Sequence, residues 1–566
     1  MGERIMKNIS KERRENLLAK IGKLRLFMEQ NNATPEMRAY LSELETELKR
    51  QKFGLVFEEH REEIDEILET HTPILTEEKE RFIDGSGCIN FLIEGDNLAA
   101  LSLLDKTHRG KIDIIYIDPP YNTGAKTWKY DNDYVDSKDL FRHSKWLSMM
   151  SRRIEIAKRL LRKDGVFICA IDENELHTLG LLIENIFGEK YEIHCITIVH
   201  NPRGIQGKNF SYTNEYAIFV VPKGDKIISD RKIPENEKDW SSLRNWGGES
   251  LRTDARNCFY PIFVKDDAII GFGDVTDESD HPKQNEFCDG IIHIYPIDIH
   301  GVERKWRYAR QTVESISSNL RVRKIRGRYE VEIGKDFEAY RTVWNDSRHD
   351  SNEYGKKMVN NLVPDSEFDF PKSLYNVYDC IYSIASKRGE SVILDFFAGS
   401  GTTGHAVMEL NKEDGGDRKF ILCTNNENNI CRDVTYQRLK TVITGKRKDG
   451  TTYSEPINAS LKYQKIEFLS TAEQTYYDYA DQLLKHVKEI VELENAINFD
   501  GNTELAILLT EDEAEAFFGD ATKLNTVRTI YLGHDVSLTS EQQKTVDENS
   551  ITINVIPEYY YKEKQT

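Results

Sequence analysis

The sequence predicts an α/β fold centred on a doubly wound, mainly parallel sheet. From about residue 89, short apolar runs alternate with segments of helical periodicity. The run IDIIYI at 112–117 is almost entirely apolar, which is typical of strands buried on both faces of a parallel sheet. The same alternation returns at 391–397 after a long stretch that lacks it. These observations indicate an α/β domain with an insertion.

The composition is that of a globular protein. The chain has 566 residues, of which 39% are hydrophobic and 31% charged, which is enough apolar mass for at least one large core. We find no run of about 18 apolar residues and no apolar secretion signal, so we expect a cytoplasmic protein without a membrane span. The eight cysteines form no CxxC pair, which argues against a disulfide framework and against a metal site.

The net charge of −19 is unevenly distributed along the chain. Residues 464–566 contain 20 Asp and Glu against 8 Lys and Arg, whereas residues 303–328 contain nine Lys and Arg against two Glu. Because local fields steer a polyanion, the acidic total does not exclude nucleic acid as a partner.

The N-terminal region is predicted to be helical. Apolar residues such as Leu17 and Ile21 follow helical spacing, and Thr34 with Pro35 predicts the N-cap and first residue of a second helix. Two interpretations stay open: a helical hairpin packed on its own domain, or a contact with a second copy or another partner.

In the core, strands are predicted where apolar residues run together, at 89–94, 112–117, 166–171, 196–199, 216–221, 391–397 and 419–424. Helices are predicted at 97–104 and 146–161. The stretch between residues 201 and 369 is rich in Gly, Asn, Asp and Pro and is too long for a loop, so it predicts an inserted domain.

The C-terminal part is predicted to form a small, acidic α/β domain. A long helix is expected after residue 464, followed by three short strands at 504–509, 527–533 and 551–557. The whole chain is thus divided into a helical N-terminal region, a first half of the core, an inserted domain, a second half of the core and the C-terminal domain, with the bounds 1–75, 76–222, 223–360, 361–463 and 464–566.

The first candidate site is Asp118-Pro119-Pro120-Tyr121, at the carboxyl end of a predicted strand. Ligands of open α/β sheets bind beyond the carboxyl ends of the strands. The Asp118 carboxylate and the Pro119 carbonyl are two neighbouring acceptors, and Tyr121 adds an aromatic face. This set suits a planar heterocycle with an exocyclic amino group. An ordinary turn would also use Asp and Pro.

The second candidate site is the glycine-rich loop at 395–404, which again joins a strand to a helix. Its glycines, among them Gly399 and Gly401, fit the GxGxxG pattern, in which the backbone approaches a ligand closely. One interpretation is a dinucleotide site with Glu427 on a ribose. The other is a nucleoside with a cationic sulfonium and methionine tail, which suits the acid Asp395 at the strand end.

Together, the two motifs resemble those of DNA amino-methyltransferases that use S-adenosylmethionine. The order, with the Asp-Pro-Pro-Tyr motif first and a large region between the motifs, resembles the β class. Three further stretches are similar to motifs of that class: EGDNLAAL (94–101), DGVFICAIDENE (164–175) and FDFPKS (368–373). Two others resemble the modification subunits of type III restriction systems: RTVWNDSRHDSNEYGKK (341–357) and TNNENNI (424–430).

The resemblance implies a Rossmann-like methyltransferase fold, with residues 223–360 as a target-recognition domain. It implies methyl transfer to N6 of an adenine flipped out of duplex DNA, without a metal or a covalent enzyme intermediate. Asp118 and Pro119 would bind the amino group in the loop that Pro120 stiffens, and Tyr121 would stack on the base. The residues implied to hold the cofactor are Asp96, Asn97, Lys372, Ser373, Asp395, Phe397, Gly399, Gly401 and Glu427.

Basic residues mixed with aromatic ones at 304–310 and 321–328 predict contacts to DNA, with a solvated basic face as the plain alternative. The predicted contacts are Arg304, Lys305, Arg307, Arg321, Arg323, Lys324, Arg326 and Arg328.

The expected partners are duplex DNA, a second copy of the chain and a restriction subunit with helicase and nuclease activity. Other functions stay open. A cytosine-N4 methyltransferase usually has Ser at the position of Asp118, so the Asp favours adenine. A DNA-recognition subunit that delivers a nuclease could do without an intact active site, whereas both motifs are complete here. An orphan methyltransferase without a restriction subunit would show the same features.

Overall fold

The computed structural model describes residues 9–30, 34–49, 57–85, 87–130, 133–136, 138–206, 208–233, 238–364, 366, 368–470, 483–533 and 535–556. The chain forms two compact units, one made of the segments up to residue 227 and from residue 342 onward, the other of residues 228–341. No helix within the described ranges is both long and apolar enough to cross a bilayer.

The described residues of the N-terminal region form three helices: α1 (Ile9–Gln30), α2 (Pro35–Lys49) and α3 (Glu63–Thr70). Helix α2 begins at Pro35, and the Thr34 hydroxyl accepts the backbone N–H of Met37 at 3.3 Å, as the sequence predicts for an N-cap. Helices α1 and α2 pair as a hairpin in which Ile21 and Leu41 are buried. The described residues of this region are thus largely helical up to Thr70, whereas the last predicted residues, from His71 to 75, belong to a strand of the core.

The first half of the core follows in chain order: β1 (His71–Glu77), β2 (Ile89–Glu94), α4 (Asn97–Thr107), β3 (Ile112–Ile117), β4 (Ala125–Tyr130), β5 (Asp133–Asp136), α5 (Arg142–Leu160), β6 (Leu161–Ile171), α6 (Leu176–Phe187), β7 (Tyr191–Val199), β8 (Ile205–Gln206), β9 (Ser211–Tyr212) and β10 (Asn214–Pro222). The predicted strands at 89–94 and 112–117 coincide with β2 and β3.

Residues 228–341 form an antiparallel β unit, in chain order β11 (Asp230–Lys232), β12 (Ser241–Ser242), β13 (Ile262–Lys265), β14 (Ala268–Phe272), β15 (Asn285–Cys288), β16 (Ile291–Ile294), α7 (Arg310–Val313), β17 (Leu320–Ile325), β18 (Arg328–Ile333) and β19 (Phe337–Ala339). Its main sheets are β14-β13-β16-β15 and β12-β18-β17. Its own core contains the buried Trp306, whose indole N–H donates to the Tyr260 carbonyl at 2.8 Å.

The chain returns to the core through β20 (Val343–Trp344), α8 (Lys357–Leu362), α9 (Leu374–Ala385), β21 (Val392–Asp395), α10 (Thr402–Asp414), β22 (Lys419–Thr424), α11 (Tyr436–Thr444) and β23 (Ser460–Ser470). Strand β20 pairs with β7 of the main sheet, so residues 343 and 344 belong to the core although they lie within the predicted insertion 223–360.

The main sheet has ten strands in the order β1-β23-β2-β22-β21-β3-β6-β10-β7-β20. The strands from β23 to β6 are parallel, whereas β1 and β10 are antiparallel to their neighbours. Phe91 and Ile93 of β2 pack in one core with helices α4 and α5, while Leu92 between them is also buried, so this strand is covered on both faces. The α/β, Rossmann-like fold is thereby confirmed.

The C-terminal part contains α12 (Val487–Asn495), β24 (Leu505–Leu508), α13 (Glu511–Phe518), α14 (Ala521–Thr526), β25 (Thr529–Leu532), α15 (Ser540–Glu548) and β26 (Thr552–Val555). These strands lie at the three predicted positions, and they form a small parallel sheet with its own core.

The segment after residue 464 is a strand at first, where we expected a helix. Strand β23 runs to Ser470 and pairs antiparallel with β1, with Ser470 opposite His71 and Gln464 opposite Glu77. Much of the expected helix, 471–482, lies outside the described residues. Helix α12 packs into the main core, where Lys462 and Glu492 form a fully buried ion pair with an N–O distance of 2.7 Å.

The carboxyl ends of the parallel strands lie at one edge of the sheet. Strands β3 and β21 are neighbours, with Ile115 opposite Leu394. From β3 the chain continues to β6 on one side, and from β21 to β22 on the other, so the strand order reverses between β3 and β21. Such a switch point is where ligands of open α/β sheets bind, and both candidate loops begin there.

Candidate active site

The loop after β3 carries the Asp-Pro-Pro-Tyr motif. The side chain of Asp118 is 27% exposed, and its Oδ1 lies 3.5 Å from the Nζ of Lys372. The carbonyl of Pro120 accepts the indole N–H of the buried Trp146 at 2.6 Å. This bond ties the loop to helix α5, while Pro119 is buried beside Asp118.

Asn122 fixes the loop from its far end. It is fully buried and has a φ of 55°, in the left-handed region that Asn and Gly tolerate best. Its Nδ2 donates to the Glu175 Oε1 at 2.5 Å and to the Arg142 carbonyl at 3.2 Å. Glu175 is itself fully buried, and His143 Nδ1 lies 2.6 Å from the same oxygen. Glu175 is not among the predicted site residues; its signal is its place at the end of the acidic run 172–175, immediately before an apolar helix.

Lys372 reaches the centre of this site. Its Nζ donates to the hydroxyl of Tyr121 and to the Oε2 of Glu215, and it lies 4.5 Å from the centroid of the Tyr121 ring. The Tyr121 hydroxyl also donates to Glu215, at 3.3 Å. The resemblance implied that Lys372 helps to hold the cofactor; in the structure its ammonium lies between the carboxylates of Asp118 and Glu215.

Glu215 was not predicted as a site residue. It lies on β10, is 4% exposed, and its Oε1 accepts the Asn376 Nδ2 at 2.6 Å. The signal in the sequence is faint, because a single Glu at the start of an otherwise apolar strand also occurs at sheet ends. Its partner Lys372 lies 157 residues further along the chain.

The three charges shift one another's pKa. Burial raises the pKa of Asp118, and Lys372 opposes this rise. Burial alone would lower the pKa of Lys372, but the carboxylates of Asp118 and Glu215 outweigh it and raise that pKa. For Glu215, burial would raise the pKa, but Lys372 and then His200 outweigh it and lower the pKa. Lys372 and Glu215 therefore form a charged pair at neutral pH.

Asp395 braces the glycine-rich loop at the end of β21. Its Oδ1 accepts the Phe397 N–H at 2.9 Å, and its Oδ2 accepts the Thr403 hydroxyl at 2.6 Å. Burial raises the pKa of Asp395 to about 7, although these hydrogen bonds act against the rise. Gly399 and Gly401 have φ values of 48° and 77°, so the loop uses the left-handed region that favours glycine.

A buried arginine lies beneath the same loop. Arg438 of α11 is fully buried and donates to Ser400 Oγ at 3.1 Å and to Thr402 Oγ1 at 2.8 Å. Burial lowers its pKa to about 9. The glycine loop is thus held by hydrogen bonds on two sides, from Asp395 and from Arg438.

The remaining predicted cofactor residues lie at the ends of neighbouring elements. The Asp96 Oδ1 caps α4 by accepting the Leu98 N–H at 2.7 Å, and the Asn97 Nδ2 donates to the carbonyl of Phe396 at 3.0 Å. Glu427 is exposed just beyond β22. Ser373 is buried at the start of α9 and donates to the Arg348 carbonyl at 2.7 Å. The carboxyl ends of β2, β3, β21 and β22 thus bring these groups to one edge.

The predicted DNA contacts lie in the unit of residues 228–341. Arg304 is bound internally, with its Nε 3.0 Å from the buried Asp298, and Arg307 donates to the Ser241 hydroxyl at 3.0 Å. Strands β17 and β18 form a hairpin whose turn contains Arg326 at a φ of 48°. The exposed basic side chains of this hairpin are those of Arg321, Arg323, Lys324, Arg326 and Arg328.

A DNA methylase family model matches residues 112–436, more than half of the chain. The type II methyltransferase M.KpnI of Klebsiella pneumoniae is 33% identical over 390 residues, which cover 66% of this chain and 90% of that protein. The Mod subunits of the type III restriction-modification enzymes EcoPI, from Escherichia phage P1, and StyLTI, from Salmonella typhimurium, are each 28% identical, over 60% and 69% of this chain. The chain covers 58% and 62% of the lengths of these two subunits.

The family match contains both loops at the switch point, the acceptor pair with its tyrosine and the braced glycine-rich loop. It also spans Glu215 and Lys372. The chain therefore belongs to the DNA methylase family.

Proposed function

We propose that this DNA methylase modifies N6 of an adenine flipped out of duplex DNA, as the modification subunit of a type III restriction-modification system. The methyl donor is S-adenosylmethionine. The observation that carries the proposal is the position of Asp118, which lies at the end of β3, directly beside the glycine-rich loop at the end of β21. An amino-group acceptor and a nucleoside-binding loop thus share one strand-end cleft.

The residues of the cleft have distinct tasks in this proposal. The Asp118 carboxylate and the Pro119 carbonyl accept the two hydrogens of the amino group, which directs the nitrogen lone pair at the methyl group. As the new N–C bond forms and the C–S bond breaks, one N–H proton is released by way of Asp118. Tyr121 stacks on the base. The rate enhancement comes mainly from orientation, because the cofactor supplies an already activated methyl group.

The cleft fits the cofactor through its donor and acceptor set. Left-handed Gly399 and Gly401 shape the loop, and Asn97 ties that loop to β2 and α4. In the proposal, Phe397 contacts the adenine ring, while Asp96 and Glu427 accept from polar groups of the nucleoside. Ser373 lies near the methionine part. Asp395 acts through the loop it braces, since both of its oxygens are engaged there.

Adenine N6 and cytosine N4 present the same kind of amino group, so both bases suit the acceptor pair. Asp118 favours adenine, since the N4 enzymes usually have Ser at this position, as the resemblance implies. DNA contact is assigned to the basic hairpin and to Arg307, because exposed guanidinium and ammonium groups neutralise phosphates. Arg304 and Lys305 are only partly exposed, and Arg304 is held by Asp298, so these two are left out of the assignment.

The similarity to two kinds of methyltransferase bears on the type III assignment. The Mod subunits are matched over three fifths of their length, whereas M.KpnI is matched over 90% of its own. The second candidate is therefore a methyltransferase that acts without a restriction subunit. Co-expression with an adjacent helicase–nuclease reading frame distinguishes the two: a stable complex that cleaves unmodified DNA supports the type III role, and free chains with full methylation support the second.

A homodimer is part of the proposal, and the α1–α2 hairpin supports it. Helix α1 carries six Lys and Arg against three Glu, and α2 carries four Glu against two basic residues. Leu24, Phe27 and Tyr40 are each more than half exposed. A second hairpin packed antiparallel on the first would pair opposite charges and cover these apolar side chains. Light scattering of the full chain, with Phe27→Glu as the comparison, tests the dimer.

The enzymatic proposal is tested with labelled S-adenosylmethionine and mixed-sequence duplex DNA, followed by digestion to nucleosides. We expect the label in N6-methyladenine, at least 1,000-fold less of it with Asp118→Ala, and no change with Glu548→Ala on the exposed face of α15 (order of magnitude from the loss of orientation). Label in N4-methylcytosine would overturn the base assignment. Binding of both ligands without transfer would favour the recognition-subunit interpretation.

A further inference from the structure

The ammonium of Lys372 has two carboxylates within reach, and they hold it unequally. Its contact with Glu215 is a direct hydrogen bond, whereas its distance to the Asp118 Oδ1 is 3.5 Å. The Glu215 side chain is 6% exposed and that of Asp118 is 27% exposed. Because charge pairs interact more strongly where water is excluded, Glu215 is the stronger counter-ion.

Glu215 is also the better fixed of the two carboxylates. Asn376 donates to its Oε1 at 2.6 Å and the Tyr121 hydroxyl donates to its Oε2 at 3.3 Å. His200 adds a further ring nitrogen, 4.0 Å from Oε2. Strand β10 therefore holds a carboxylate in place on the side of Lys372 away from solvent.

An alternative arrangement of Lys372 would block the site. If its ammonium moved onto Asp118, it would occupy the acceptor that the proposed mechanism requires for the substrate amino group. Both groups are N–H donors that seek the same oxygen, so they compete for it. A stronger and better fixed counter-ion on the other side of Lys372 prevents this competition.

We infer that Glu215 is a positioning residue for methyl transfer: by binding the Lys372 ammonium and the Tyr121 hydroxyl, it keeps Asp118 available for the amino group of the target base. The inference rests on the proposed function, because it takes Asp118 as the amino-group acceptor. It assigns a role to an acid on β10, outside both motifs that carry the chemistry.

Removal of the Glu215 charge should lower both the kcat and the pKa of Asp118. In Glu215→Gln, Asp118 is the ion-pair partner that Lys372 keeps among the described residues, and the ammonium closes on it. The substrate amino group then has to displace an ion pair, so the kcat falls. Asp118 also loses a neighbouring negative charge and gains a closer positive one, and both changes lower its pKa. The acid limb of the kcat profile therefore moves to lower pH.

Several other titratable groups face Asp118, namely Tyr116 on β3, Tyr121 beside it, Cys169 on β6 and Asp395 on β21. Burial raises the pKa of Tyr116, Tyr121 and Cys169 well above their usual values, so these groups stay neutral from pH 5 to pH 9. Asp395, whose pKa burial raises to about 7, titrates within that range in every variant.

Asp172, just beyond β6, and His200 also face Lys372; burial raises the pKa of Asp172 to about 6 and lowers the pKa of His200. The limb of Glu215→Gln is therefore also measured in the presence of Asp172→Asn, which removes the other carboxylate that Lys372 influences in this pH range.

The test measures kcat for DNA methylation from pH 5 to pH 9 with the full chain, identifying the labelled nucleoside in the wild type. We expect Glu215→Gln to lower kcat at pH 7.5 by about 10- to 100-fold, the range for a misplaced reacting group. Its acid limb should shift down by at least half a pH unit. Glu215→Asp keeps the charge, so it should retain more activity and a wild-type limb. Asn376→Ala, which disturbs the same pocket without a change of charge, should leave the limb in place.

An unchanged kcat in Glu215→Gln would overturn the inference. So would a lower kcat with an unmoved acid limb, since that result describes a purely structural role. If Glu215→Gln does not fold, Glu215→Asp decides: activity below that of Asn376→Ala with a shifted limb would contradict the charge argument. If the wild-type protein transfers no label to adenine, the proposed function itself is wrong. The nucleoside analysis of the wild type shows this without reference to the variants.

Discussion

The bond between Asn122 and Glu175 leads to a prediction about the loop that carries Asp118. Asn122→Gly removes the amide donor but keeps a residue suited to the observed φ of 55°. A hydrogen bond to a charged group contributes roughly 1.5–3 kcal/mol, so we expect the local free energy of opening to fall by about 2 kcal/mol. Asn122→Ala keeps the Cβ that Gly lacks but loses the polar side chain that lets Asn adopt the left-handed region, so it should cost roughly 1–2 kcal/mol more than the Gly variant.

Hydrogen exchange of the peptide that contains residues 118–122 measures this opening directly. Because about 1.4 kcal/mol corresponds to a factor of ten, exchange should accelerate about 30-fold in Asn122→Gly and at least 100-fold in Asn122→Ala. The kcat should fall in the same order, since the reacting groups are less well oriented. Asn549→Ala, at the end of α15, is the matched control and should leave the loop protected.

Two results would refute the reasoning. Exchange within about threefold of the wild type in both Asn122 variants would mean that Glu175 does not hold the loop. Equal exchange in the Gly and Ala variants would mean that the left-handed backbone at Asn122 contributes nothing. In either event, the bond between Trp146 and the Pro120 carbonyl would remain as the restraint on the loop.

Two further predictions concern charge. Burial raises the pKa of Asp395 to about 7, whereas an Asp in the unfolded chain titrates near pH 4. Between these values the folded state keeps a proton that the unfolded state releases. The contribution of Asp395 to the free energy of unfolding is therefore lost as the pH rises through 7. Urea unfolding of the core should therefore show the wild type losing about 2 kcal/mol relative to Asp395→Asn between pH 5 and pH 8; a constant difference would place the proton elsewhere. In the β17–β18 hairpin, replacing Arg323 and Arg326 with Gln should reduce the slope of log Kd for DNA against log salt by about 1–2, with Lys523→Gln as the control, and an unchanged slope would exclude the hairpin from DNA contact.

The sequence predicts the core strands well because their signal is local. Strands β2, β3 and β22 are short apolar runs between turn residues, and each has the predicted bounds. The start of the C-terminal domain is misplaced at residue 464, because the apolar residues of β23 change phase between Tyr463 and Ile466, so that only the pairing with β1 marks this segment as a strand. Whether such a segment forms a strand depends on a pairing partner that is distant in the sequence, and a local pattern does not show that partner.

The same distinction separates the predicted and unpredicted parts of the site. The two loops at strand ends follow from the order of residue types along the chain. Glu175 and Glu215 do not, because each acts on a residue in another segment, as Glu175 does on Asn122, 53 positions earlier. The position of Lys372 was likewise fixed by contacts with Asp118 and Glu215 rather than by its motif. A search for sequence patterns therefore misses buried acids in apolar surroundings.

The topology explains how a large inserted unit can leave this cleft intact. The segment before the insertion ends with β10, and the segment after it begins with β20, and both strands pair with β7. The chain therefore leaves the main sheet and returns to it on either side of a single strand. Insertions whose ends lie close together disturb their host least. Glu215 precedes the insertion and Lys372 follows it, yet their bond forms wholly within the core, so the proposed recognition unit can change its sequence without moving the groups around Asp118.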